Sequence, residues 1–165
     1  NPWMQESSNK IIQDGEIVSF DTDMVGPYGY CADISRAFVC GNKFNEHQKK
    51  IYSTAVEQID YNSRLIKDGV SFREFTEKAW ILPEKYYGNR YSVMLHGIGL
   101  CDEWPAIRYP TDGGERSGIF QKNMTITLES YIGEVGGHEG VKLEQQYLVG
   151  ENGLELMSHH PLEQI

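Results

Sequence analysis

Two short runs rich in β-forming residues, at 16–24 (EIVSFDTDM) and 31–39 (CADISRAFV), predict strands. VGPYGY at 25–30 separates them with turn chemistry in Gly26, Pro27 and Gly29, so 16–39 reads as a hairpin. The pattern then changes period. Ile51, Ala55, Ile59, Asn62 and Ile66 recur near helical spacing behind the capping pair Asn45 and Gln48, and Gly69 supplies a stop. Ser71 with Glu74 opens a second helix that ends before Pro83. From Tyr86 to about Lys122 the chain is rich in Gly and Pro, the pattern of loops and short strands. MTITLESYI (124–132) and VKLEQQYLV (141–149) predict two further strands joined by a Gly-rich connection. The order β-β-α-α-loops-β-β is an α+β pattern with mainly antiparallel pairing.

Composition narrows the classes. The 165 residues, 39% hydrophobic, make one domain with a sizeable core, without repeats, low-complexity tracts or an interdomain linker. No stretch approaches the roughly 20 apolar residues of a membrane span. A net charge of −9 repels a phosphate backbone, which argues against nucleic acid as a partner. Cys31, Cys40 and Cys101 are an odd count without CxxC spacing; they read as small core residues in a reducing, cytoplasmic compartment. The polar start NPWMQESSNK has no signal-peptide pattern, and without an initiator Met it reads as part of something longer.

The acids carry the chemistry. Side chains on a strand alternate faces, so Asp21 and Asp23 share one with Ser19. A turn symmetric about Tyr28 sets Asp23 opposite Asp33, and a turn at Gly136-Gly137 sets Glu129 opposite Glu144. Like charges facing across a sheet destabilise it, and a multivalent cation is the economical remedy because carboxylates are hard oxygen ligands. His96, in MLHGIGL among glycines that allow close backbone approach, supplies a nitrogen donor. The sequence thus predicts a carboxylate/histidine metal centre drawn from Asp21, Asp23, Asp33, His96, Glu129 and Glu144.

The ordered motifs GEIVSFDTD, YCADISRAF, LHGIGL with a following proline, ITLES and KLEQQYLV resemble the creatinase/aminopeptidase superfamily, which includes methionine aminopeptidase and prolidase. The resemblance runs from about residue 15 to 157. It implies the pita-bread fold, a curved and mainly antiparallel sheet with flanking helices, around two adjacent metal ions. Residues 1–165 then form a single catalytic domain, the C-terminal portion of a pita-bread domain. The family's N-terminal domain, which in relatives also reaches a dimer partner's pocket, is absent, and the full-length protein is expected to be a homodimer.

Two departures from the peptidases matter. Thr22 stands where they place their first aspartate, flanked here by Asp21 and Asp23. The peptidases also carry a further histidine after HGIG that helps hold the substrate carbonyl; His96 to Pro105 reads HGIGLCDEWP without it. Both departures resemble the dimethylsulfoniopropionate lyase branch of the superfamily, which releases dimethyl sulfide and acrylate. That resemblance implies all six residues as ligands, Asp102 as general base and Tyr91 as a substrate contact. Two divalent ions are implied, iron favoured over manganese, cobalt or zinc. The expected substrate is a small sulfonium carboxylate whose cationic end suits aromatic faces, for which Tyr91, Trp104 and Tyr131 are candidates. Glu103 is an alternative base. His47, His138, Glu139, His159, His160, Arg116 and Lys142 read as surface residues. The rival readings are an Xaa-Pro metallopeptidase and a non-catalytic pita-bread binding module.

Overall fold

The computed structural model describes residues 9–41, 43–113 and 117–162; Arg116 lies outside them. The first hairpin is interrupted. β1 (Ile17–Asp21) pairs antiparallel with β4 (Ser35–Val39), and β2 (Met24–Val25) with β3 (Cys31–Ala32). Both ladders keep one register, Asp21 facing Ser35 and Met24 facing Ala32, which sets Asp23 across from Asp33 in the gap between them. Thr22 spans that gap: its hydroxyl donates to the Ile34 carbonyl at 2.9 Å, replacing a ladder bond.

α1 (Glu46–Ser63) starts at Asn45, whose side chain accepts from the Gln48 backbone while Gln48 returns the bond, a complete capping box. α2 (Phe72–Lys78) is capped by Ser71 and ends well short of Pro83; α3 (Glu84–Tyr87) is a single turn. The Gly- and Pro-rich segment then yields β5 (Val93–Gly97) and β6 (Ala106–Arg108). β7 (Thr125–Gly133) and β8 (Gly140–Val149) follow, with a short β9 (Leu154–Leu156) that the sequence pattern did not signal. These five strands form one antiparallel sheet in the order β6-β5-β7-β8-β9.

The two faces of this sheet differ because its central strands alternate. Ile126, Leu128 and Ile132 of β7 and Val141, Leu143 and Val149 of β8 join Ile51, Ala55 and Ile59 of α1 in the apolar core. On the opposite face, Thr127 and Glu129 of β7 and Lys142 and Glu144 of β8 are buried as well. Burying that second, polar face is costly unless its groups are paired or bind a cation. Among the described residues no helix is long and apolar enough to cross a membrane.

Candidate metal centre

β7 and β8 pair with Glu129 directly opposite Glu144, and β5 lies on the other side of β7 with His96 opposite Thr127. Thr127 and Glu129 share a face, so the pairing brings His96 beside the two glutamates. His96 is 1% exposed, Asp33 3%, Glu129 4% and Glu144 1%. The His96 Nδ1 lies 3.0 Å from the Gly97 carbonyl, which can only accept a hydrogen bond; this turns Nε2 toward the acids. That Nε2 is 3.6 Å from Asp33 Oδ2, 3.5 Å from Glu129 Oε1 and 3.3 Å from Glu144 Oε1. Gly97 must be glycine, because a Cβ there would fall 2.3 Å from the Trp104 carbonyl oxygen.

Two groups of donor atoms are compact enough to hold an ion, each within 4.8 Å of one another: Asp33, His96 and Glu144, and Asp23, Asp33 and Asp102. Asp33 belongs to both. The fit to a cation rests on orphaned atoms: the buried Asp33 Oδ1, Glu129 Oε1 and Glu144 Oε1 have no hydrogen-bond partner. Buried polar oxygens are rarely left this way, and a divalent ion held among these carboxylate and imidazole donors would give them partners. Burial, together with neighbouring carboxylates, pushes Asp33 well above the usual carboxylate range. Burial raises Glu129 as well, against the pull of Lys142. Burial would lower His96, but Glu144 and Glu129 outweigh it and carry the imidazole up to about 9.

Lys142 corrects the sequence reading. It is 2% exposed, not a surface residue. Its ammonium donates to Glu129 Oε2 and sits 3.2 Å from Glu144 Oε2 and 3.8 Å from Asp21 Oδ2. Burial alone would raise Glu144, but Lys142 and His96 hold it below the usual range. The signal was present: Lys142 is two residues before Glu144 on an alternating strand and so shares its face. Ser35 was also missed. Its Oγ lies 2.5 Å from Asp21 Oδ1 and 2.9 Å from Glu144 Oε2, and its single proton serves one of them at a time. The buried Arg36 guanidinium donates to the carbonyls of Ser35, Glu144, His160 and Pro161 and to Gln145, tying β4 to β8 behind the acids.

The remaining candidates are placed as follows. Asp21 and Asp23 are exposed on the broken hairpin, whereas Asp102 is half-buried and joins Asp23 and Asp33. Glu103 is exposed, with a left-handed backbone (φ 57°) and its amide donating to Asp102 Oδ1 at 3.1 Å. Tyr91 is half-buried, its ring 5.2 Å from the Lys142 ammonium. Trp104 is 63% exposed and lines a cleft of about 350 Å³ with Tyr30, Leu100 and Phe120. Tyr131 packs over Gly140, where an added Cβ would meet its hydroxyl at 2.2 Å. His47, His138, His159 and His160 are exposed; Glu139, half-buried, accepts from Gln48 at 2.6 Å.

The model of metallopeptidase family M24 matches residues 1–151. A dimethylsulfoniopropionate lyase DddP of Roseovarius nubinhibens is 38% identical over 99% of this chain, which spans 37% of that relative's length. The prolidase of Pyrococcus furiosus superposes with a TM-score of 0.78 at 28% identity, covering 94% of this chain and 44% of the prolidase. An Xaa-Pro dipeptidase from Bacillus anthracis gives a TM-score of 0.76 at 30% identity over 96% of this chain and 43% of its own. The architecture is the α+β pita-bread fold of those enzymes. The chain belongs to metallopeptidase family M24.

Proposed function

We propose that this chain is the metal-binding catalytic part of a lyase that cleaves dimethylsulfoniopropionate into dimethyl sulfide and acrylate. The observation that carries the reading is Asp102. It is a carboxylate set beside Asp23 and Asp33, in the segment after His96 where the peptidase pattern has a histidine. The 38% identity to a named lyase supports the same assignment. Asp33, His96, Glu129 and Glu144, with Asp21 and Asp23 on the open side, are the proposed ligands of two divalent ions. When bound, those ions would accept the substrate carboxylate and withdraw charge from it.

The chain's own residues supply the rest. Asp102 removes the proton from the carbon next to the carboxylate, a contribution of ~10²–10⁴-fold for a positioned base. The released electron pair forms the carbon–carbon double bond, the carbon–sulfur bond breaks, and dimethyl sulfide leaves with the bonding electrons. Asp102 keeps the proton and returns it to solvent. Tyr91, Trp104 and Tyr131 are proposed to offer aromatic faces to the sulfonium, which cannot donate a hydrogen bond. No water nucleophile enters, so the peptidases' carbonyl-binding histidine has no role here.

The test is incubation of the metal-replete whole protein with dimethylsulfoniopropionate and headspace detection of dimethyl sulfide. Hydrolysis of an Xaa-Pro dipeptide without sulfide release would establish the second reading, a proline-directed metallopeptidase, which the prolidase-like fold favours. Neither activity in a protein that binds no metal would leave a binding module. The whole protein is further proposed to be a cytoplasmic homodimer.

A further inference from the structure

We infer that Lys142 is a positioning residue that aims one oxygen of Glu129 and one of Glu144 at the metal position. The inference rests on the metal reading above. Burying an ammonium is expensive without partners, and this one is surrounded by acids. It engages one oxygen of each glutamate, Oε2 in both cases. The other two, Glu129 Oε1 and Glu144 Oε1, carry no hydrogen bond and lie 3.5 and 3.3 Å from His96 Nε2. A carboxylate turns freely about its terminal torsion, so fixing one oxygen sets where the other points. Ser35, 2.9 Å from Glu144 Oε2, reinforces the same side. The Tyr91 ring, 5.2 Å from the ammonium, limits its movement.

A mere counter-ion has the opposite consequence. A lysine that only neutralised the acids would compete with a divalent ion, and its removal would tighten metal binding. A lysine that positions the donors strengthens binding, and its removal weakens it.

The experiment is titration of the metal-free whole protein with manganese(II) alone, followed by calorimetry and by the electron paramagnetic resonance spectrum of the bound ion. Lys142→Met is expected to weaken binding roughly 10–100-fold, the usual loss when a group orienting metal ligands is removed. Lys142→Arg, which keeps the charge and its donors, is expected to restore affinity to within a few-fold. Unchanged or tighter binding by a folded Lys142→Met protein overturns the inference. Should that variant not fold, Lys142→Gln decides: weaker manganese binding than wild type sustains the inference, and equal or tighter binding overturns it. A wild-type protein that binds no manganese fails at the earlier step and overturns the metal reading itself.

Discussion

Two hairpins place acids face to face, and they resolve the conflict differently. In β7–β8 the ladder runs unbroken from Thr125–Leu148 to Gly133–Gly140, and Glu129 and Glu144 are buried. There the chain supplies its own cation, Lys142, and leaves one oxygen of each acid open. In the first hairpin the ladder breaks at residues 22–23, and Asp21 and Asp23 reach solvent. Water screens the exposed Asp21 and Asp23 at little cost, whereas Asp33, which faces Asp23 across the gap, is buried, keeps an orphaned Oδ1 and lies in the group with His96 and Glu144. Burial determines whether like charges must be compensated from within.

This contrast divides the work: the buried hairpin, with Asp33 and His96, should govern ion retention, and Asp102 on the open side the chemistry. The largest expected effect is that of Glu144→Ala, which removes a proposed ligand and leaves Lys142 short of a partner. Metal content by mass spectrometry should fall to background and the proposed lyase activity with it; a variant that keeps its metal would break the division. Next, Asp102→Ala should lower sulfide release by about 10²–10⁴-fold while the metal stays. Loss of metal in that variant would make Asp102 a ligand instead.

Stability should separate the hairpins as well. Lys142→Met leaves Glu129 and Glu144 buried with His96 as the remaining cation beside them and should cost about 3–5 kcal/mol in metal-free denaturant unfolding. The pH dependence has a defined sign. Asp33, Glu129 and His96 all bind protons more tightly in the metal-free fold than when unfolded. Their contribution is complete below the unfolded pKa values and is lost as pH rises through the folded ones, up to about 9 for His96. Glu144 has the opposite sign, but only at acid pH, below the usual glutamate range. Metal-free stability should therefore fall from pH 5 to pH 9, and a bound divalent ion should raise Tm more at pH 8 than at pH 5. A gain independent of pH would remove these groups from the ion's surroundings. The smallest effect is expected for exposed Asp23→Asn, within about 0.5 kcal/mol of wild type by the same unfolding measurement.

The acid pairs were legible in the sequence because each lies within one hairpin. Turn position and a two-residue period suffice to set Asp23 across from Asp33 and Glu129 across from Glu144. Asn45–Gln48 and Ser71 were legible as helix starts for the same reason, since a cap involves residues three apart. The interruption at Thr22 was not, because the hydroxyl bond to Ile34 competes with a ladder that residue pattern alone predicts to be continuous.

What local pattern could not decide is which segments meet. That β5 lies against β7, with His96 opposite Thr127, depends on pairing residues about thirty positions apart. Asp102 near Asp23 and Asp33, and Ser35 between Asp21 and Glu144, are likewise products of packing. Lys142 is the clearest case. Alternation alone gives its face, but an ammonium remains buried only where several carboxylates converge from separate strands to hold it.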